Sequence, residues 1–501
     1  MSGTGSQTSV GLIGPAASLE AVRRALEATG ERFDWREGEE AWPARFVLWV
    51  VDVGEGVPDE ERRRVRTELQ RAAVSLVVFI DGIDRVPSNE PFVPELVAFD
   101  VRELLDEVGR RAIILQGSAR RALEEPGSEW DRRMWELAER LGEPIRRGPM
   151  SYGPDVTRGP RDLPLAEPAA LEREETPDAW VVPVLYGTDR KATGDPEPGK
   201  FFGAGRGSLS FGMVKVSLPK NRAIGEIPTP KWWKFWDREN AARHVLLLEV
   251  DPLEREAFTA ELRNAVKDSK VPEALVFIHG FNVTFAAAAE RAAQVAFDLE
   301  FPGVPLVYSW PSEGKTQCYT VDEANIEWSI PHFKEFLRLV LAESGAKTVH
   351  VIAHSMGNRA LVRVLETLEV QEEWAALRQI VFAAPDIDRD TFVELARQFQ
   401  GRAERFTLYG SSNDRALKAS RIVHKHPRAG ESGADMVLVE HVESIDSSAV
   451  DTSLLGHSYF GSKRSILADI SMLLRKGLPP GERFGLRERQ RERWRYWEYQ
   501  P

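Results

Sequence analysis

Residues 347–368 read KTVHVIAHSMGNRALVRVLETL. The first part, TVHVIA, is a strand-length run rich in β-branched residues. From Gly357 onward, apolar residues recur three and four apart, as on an amphipathic helix. Between them stands Ala353-His354-Ser355-Met356-Gly357, with a small residue two positions either side of a serine. Strand, sharp turn and helix around such a serine are the sequence form of a nucleophile elbow. The turn must throw the hydroxyl out over the sheet edge, so bulk at either flanking position would strike the adjoining strand or helix. Ala353 stands where glycine is usual, and it keeps that size requirement. The helix start adds partial positive charge and an N–H, that of Met356, aimed at a developing oxyanion. A serine that merely caps a helix is the competing reading. The partners found elsewhere in the chain favour catalysis.

Upstream, PEALVFIHGFNVTFAAAAERAAQVAFDL (272–299) is a second strand running into a helix. Its turn, His279-Gly280-Phe281-Asn282, has the form of an oxyanion loop. Gly280 lets the backbone approach a substrate closely. The N–H of Phe281 or of Asn282 is the expected second oxyanion donor, beside Met356.

An elbow serine needs an acid and then a histidine further along the chain. Of the nine histidines, His424, His426, His441 and His457 lie late enough. His441 sits inside the apparent strand MVLVEHV, and His424 and His426 fall in the loop RIVHKHPRAGES. His457 follows that strand and opens the final helix, so it is the expected general base. Two aspartates compete to orient it. Asp386 ends QIVFAAPD, the strand after the nucleophile, and Asp414 follows RFTLYGSSND, one strand later. Asp414 is preferred and Asp386 is the alternative; either could instead cap a helix or a turn.

The rest of the chain divides around this site. It has 501 residues, too many for one ordinary domain. SVGLIG, RFVLWVVDV, SLVVFID and AIILQGS alternate with helical segments over 1–147, which argues a parallel sheet covered by helices. Residues 148–178 are rich in Pro, Gly and charge and read as a linker. Residues 179–478 begin with antiparallel strands that feed a parallel α/β sheet. Residues 479–501 form a charged, aromatic tail whose spacing suggests a solvated helix or docking segment. The KWWKFW cluster (231–236) suggests a loop packing its tryptophans on the core, with the lining of an acyl pocket or a contact with a membrane interface as alternatives.

Composition removes several functions. Lys plus Arg is 66 and Asp plus Glu is 78, a net charge of −12, so no nucleic-acid partner is expected. Cys318 is the one cysteine, which excludes an internal disulfide and a Cys-cluster zinc site. No apolar run approaches the ~20 residues of a transmembrane segment, and the first residues do not read as a secretory signal. The expectation is a cytoplasmic protein needing neither metal nor organic cofactor.

Two resemblances sharpen this. VLYGTDR (184–190), FGAGRGSLSFGMVKVSLP (202–219), FIHGFN (277–282), YSWPSEG (308–314), HVIAHSMGNRAL (350–361), FAAPDID (382–388), LYGSSNDRAL (408–417) and GHSYF (456–460) resemble the bacterial "alpha/beta hydrolase of unknown function" family, itself similar to esterases and lipases. The resemblance implies an α/β-hydrolase fold. It carries the nucleophile onto Ser355, the base onto His457 and the acid onto Asp414, and it brings no substrate. Asp189, Arg190, Arg206 and Trp310 belong to its motifs without a derivable role. Residues 1–147 resemble a degenerate, truncated GTP-binding domain of elongation factor Tu. The phosphate turn has become Gly14-Pro15-Ala16-Ala17-Ser18, without lysine, and the base-reading motif has become Asp81-Gly82-Ile83-Asp84. The combined expectation is a serine hydrolase of ester or lipid substrates with a non-catalytic N-terminal module that docks a partner or regulates. The alternatives are a non-catalytic scaffold, or an effector controlled by a nucleotide or a partner.

Overall fold

In this computed structural model the described residues are 8–30, 32–37, 44, 46–54, 57, 59–71, 74–86, 93–108, 110, 112–142, 178–222, 224, 243–314, 318–368, 374–449 and 463–500. The chain forms two compact units, Met1–Ala166 and Glu167–Pro501.

The first unit runs β1 (Thr8–Ile13), α1 (Ala16–Ala28), β2 (Phe33–Glu37), β3 (Phe46–Asp52), α2 (Asp59–Arg71), β4 (Ser75–Asp81), α3 (Val93–Glu107), β5 (Ile113–Gln116), α4 (Ala119–Glu124) and α5 (Glu129–Gly142). The strands form one parallel sheet in the order β2-β1-β3-β4-β5. Side chains alternate across it. Val47, Trp49 and Val51 pack with α2 and α3, while Phe46, Leu48 and Val50 pack with α1 and α5. Both faces are therefore covered, which is why β3 is buried along its whole length and reads as one apolar run. FDWRE (33–37) shows no such run. Among the described strands it is an edge strand, paired through β1, and Asp34 and Arg36 reach solvent.

The second unit runs β6 (Ala179–Ala192), β7 (Phe202–Pro219), β8 (Leu246–Leu253), α6 (Arg255–Asp268), β9 (Glu273–Ile278), α7 (Phe285–Asp298), β10 (Val304–Ser309), α8 (Tyr319–Glu343), β11 (Thr348–His354), α9 (Gly357–Thr367), β12 (Leu377–Ala383), α10 (Arg389–Gln398), β13 (Arg405–Gly410), α11 (Arg415–His424), β14 (Val442–Asp446), α12 (Lys463–Lys476), β15 (Leu486–Arg491) and β16 (Trp494–Tyr499). Its eleven strands form one sheet, β15-β16-β14-β13-β12-β11-β9-β10-β6-β7-β8. β6, β7 and β8 are antiparallel neighbours, and β9 to β14 pair in parallel. On one face α7 and α12 bury Ala288, Ala292, Val295, Ile466, Ile470 and Leu473 against the sheet. On the other, α8 packs on α9 and α9 on α10.

Two segments differ from the reading of the sequence. MVLVEHV is not the strand: 436–439 are irregular, His441 turns with φ +66°, and β14 begins at Val442. The C-terminal tail is a hairpin rather than a helix. Leu486 to Arg491 pairs antiparallel with Trp494 to Tyr499, and Glu492 turns between them at φ +52°. WRYWEY does not alternate strictly, since Tyr496 and Trp497 are adjacent, and β16 joins the sheet beside β14 at Ile445 and Asp446.

Candidate active site

In an open α/β sheet, ligands bind outside the carboxyl ends of the strands, where the strand order reverses. In the second unit that point lies between β9 and β11. From β9 the chain steps outward to β10; after β11 it steps the other way, to β12, β13 and β14. β9 and β11 pair in register to Ile278 and Ala353, so the turns that follow them emerge side by side.

The turn after β11 holds Ser355 at φ +49°, a conformation rare for a residue with a β-carbon. Its neighbours hold it there. Ser355 N–H donates to Ala383 O (2.9 Å), and Ser355 O accepts from Asp386 N–H (3.1 Å). The amide of Asn358, buried on the first turn of α9, donates to Ala353 O (3.1 Å), Ser355 O (2.9 Å) and Ala383 O (3.3 Å). Only glycine fits at 357, because an added Cβ would sit 2.4 Å from His279 O. Ala353 is fully buried. Ser355 itself is part-exposed.

The turn after β9 presses directly on the serine. A Cβ on Gly280 would lie 2.8 Å from Ser355 Cβ and 3.0 Å from His354 Nδ1. Asn282 is left-handed, at φ +60°. The N–H groups of Phe281 and Met356 meet no acceptor among the described residues. Asn282 N–H points at Asp322 Oδ2 (3.4 Å), and Val283 N–H donates to Ser312 Oγ (3.1 Å). Behind the turn, His279 stacks on Trp310 with centroids 4.9 Å apart, and the Trp310 indole donates to His279 O (2.9 Å). Burial, and then the nearby Arg190 charge, hold the His279 imidazole well below its usual pKa. It is neutral and structural.

Arg190 is almost fully buried and reaches three segments. It donates to Ser309 Oγ (2.9 Å), Ser312 O (2.9 Å) and Val283 O (2.6 Å). Burial lowers its pKa to about 10, so it remains a cation at neutral pH. Asp322 accepts from Ser312 Oγ (2.5 Å) and Glu313 N–H (2.8 Å). Burial pushes its carboxyl up to about 6, against the pull of those bonds. Asp189 meets His332 (3.1 Å), and Arg206 donates to Asn325 Oδ1 (2.7 Å) while lying over Trp328. Of the motif residues without a role in the sequence, Arg190 and Trp310 thus bond directly to the turn after β9.

The two acids lie in different settings. Asp386 is buried, between Arg428 Nε (2.8 Å), Ser420 Oγ (2.6 Å) and Tyr319 Oη (2.5 Å). Burial raises its pKa, but the Arg428 and Arg359 guanidiniums outweigh it and hold the carboxyl below the ordinary value. Asp414 lies in the turn after β13, part-exposed, and its Oδ1 accepts the N–H of Leu417 (3.0 Å) as the cap of α11. His457, residues 148–177 of the 148–178 linker and the KWWKFW cluster lie outside the described residues. Among the other late histidines, His424 is committed to Glu323 (2.6 Å) and Ser420 O (2.8 Å), while His426 and His441 are exposed.

In the first unit the order reverses between β1 and β3, and that crevice is occupied by the chain itself. Asp52, at the end of β3, accepts from Ser18 Oγ (3.0 Å) in the first turn of α1, from Gly54 N–H (2.9 Å) and from Arg85 (2.5 Å). A carboxylate thus stands at the helix start where a phosphate would be bound. Gly14 cannot be replaced, since an added Cβ would lie 2.2 Å from Val50 O. No group of three or more His, Cys, Asp or Glu suited to a metal occurs among the described residues, and no described helix is long and apolar enough to cross a membrane.

A serine at positive φ on a strand–helix turn, faced by a glycine turn from the neighbouring strand, defines the second unit as an α/β-hydrolase fold. Residues 254–476 match the family described as Alpha/beta hydrolase of unknown function (DUF900). Among solved structures, the apo form of translation elongation factor SelB from Methanococcus maripaludis is 13% identical, with a TM-score of 0.22, covering 44% of this chain and 43% of that one. The chain therefore spans less than half the length of that protein, and the likeness is too slight to bear on the fold.

Proposed function

We propose that the second unit is a serine hydrolase of carboxylic esters, lipid esters included. Ser355 Oγ attacks the ester carbonyl, and His457 takes its proton. Asp414 orients the imidazole, and the N–H groups of Met356 and Phe281 hold the oxyanion. The alcohol leaves with the proton from His457, and water then releases the acid from the acyl-enzyme. The observation that carries this reading is the conformation of Ser355, at φ +49° against Gly280. A strained backbone held by three neighbours and a buried Asn358 is a feature that a simple helix cap does not need. The arrangement of the acids supports Asp414: Asp386 is enclosed by two guanidiniums, whereas Asp414 leads out of β13 toward solvent. The test is covalent labelling of the full chain with a fluorophosphonate. Attachment at Ser355, lost in Ser355→Ala, is expected; protein that stays unlabelled while folded would sink the proposal.

The first unit is, on the same reading, a GTPase-like module without nucleotide chemistry that docks a partner or regulates. Asp52 and Arg85 closing the crevice support this, because a phosphate arriving there would meet an anion. Titration calorimetry of the full chain with GTP, GDP and ATP is expected to give no binding heat. Saturable heat with any of them would favour the nucleotide-controlled effector instead.

A further inference from the structure

The turn from Gly280 to Val283 offers several backbone groups to a reacting carbonyl, and only one should face it. We propose that Asp322 and Arg190 are positioning residues that make this choice. They occupy the neighbouring groups of the turn, so that the N–H of Phe281 alone faces the oxyanion. The inference rests on the serine-hydrolase reading of Ser355.

The two amides that follow Phe281 are both engaged. Asn282 N–H is directed to Asp322 Oδ2 (3.4 Å). Val283 N–H is taken by Ser312 Oγ (3.1 Å), whose own proton goes to the same Asp322 oxygen (2.5 Å). Glu313 N–H fixes the other oxygen (2.8 Å). From the opposite side Arg190 takes Val283 O (2.6 Å) and grips Ser312 O (2.9 Å). One carboxylate from α8 and one guanidinium from the end of β6 thus determine the rotation of two successive peptides. A displacement of an oxyanion donor by even an ångström loses much of its effect, because the bond must be at full strength in the transition state. The carboxylate is an expensive means of holding a loop. Its pKa is raised above the unfolded value, so its ionised form works against folding above about pH 6. An uncharged side chain would hold a merely structural turn at lower cost.

The test compares Asp322→Asn and Ser312→Ala with the wild-type full chain. Fluorophosphonate labelling is followed at increasing probe concentration, p-nitrophenyl acetate turnover is followed alongside, and thermal melting is recorded at pH 8. Phosphonylation and acylation both build charge on the oxygen that the Phe281 amide faces. The maximal labelling rate and kcat are expected to fall between about 10-fold and 1,000-fold in Asp322→Asn, and about 10-fold in Ser312→Ala. Half-saturation and KM should hardly move, and Tm should stay within a few degrees of wild type. Wild-type activity that both variants keep overturns this inference and leaves the hydrolase reading standing. So does a loss that merely tracks the folded fraction. Wild-type protein that neither labels nor turns over overturns both.

Discussion

Replacing Asp414 by asparagine is expected to cut turnover by about 10⁴-fold while leaving the protein folded. The two parts of that expectation come from different properties of one side chain. As the cap of α11, Asp414 accepts the Leu417 N–H through one oxygen, and asparagine caps about as well as aspartate. As the orienting acid it must stabilise an imidazolium, and a neutral amide cannot do so. Asp386→Asn should behave in the opposite way. Its carboxylate sits among Arg428, Ser420 and Tyr319, with Arg359 bound to its backbone carbonyl (2.8 Å). Removing that charge leaves buried guanidiniums without their counter-ion, a loss of about 3–5 kcal/mol. Because the fold lowers the Asp386 pKa, its stabilising effect is present above the unfolded value of about 4. It disappears as the pH falls through the folded one. Turnover per folded molecule should survive. Steady-state kinetics beside chemical denaturation separates the two outcomes. A reversal, with Asp386→Asn stable but inactive and Asp414→Asn active, would move the acid to the earlier strand.

The parts of this site that could be read from sequence are those where backbone geometry restricts residue type locally. Ala353, Ser355 and Gly357 lie within five positions, and the constraint on Gly357 is a single close carbonyl. Gly280 announced itself in the same way, as a turn between a strand and a helix. The frame behind it was illegible. Arg190, Ser309, Ser312 and Asp322 come from β6, β10, the following loop and α8, and no spacing rule joins residues 132 positions apart. Asn358 was hidden for another reason. It is a buried polar residue on an otherwise apolar helix face, and that signal is visible only once one asks what the amide could bond. The edge strand Phe33–Glu37 and the terminal hairpin were lost because charged, half-exposed strands carry little periodic contrast.

The terminal hairpin leads to a second large expected change in stability. Ahead of β15, Arg483 is fully buried against Asp469 of α12 (3.1 Å), and both reach Tyr409 Oη at the end of β13, at 3.1 Å and 2.5 Å. Burial raises the Asp469 carboxyl above its usual pKa, with Arg483 pulling the other way. Asp469 Oδ1 and two of the Arg483 nitrogens are buried without a hydrogen bond, and one of those nitrogens, Nη2, lies 3.6 Å from Glu443 Oε2. Such a pair contributes little net stability but is costly to break. Asp469→Ala should lose about 3 kcal/mol, because the buried guanidinium then keeps only the longer contact to Glu443 (3.6 Å). Asp469→Leu combined with Arg483→Met removes both charges and fills the same space, and it should recover most of that loss. Denaturant melts of the single and double variants decide the matter. Single variants as stable as the double one would mean that Arg483 is solvated and the hairpin only loosely joined. The expected coupling instead ties the last strands to α12, the helix just after His457 in the chain, so that the C-terminal segment helps to hold the end of the sheet.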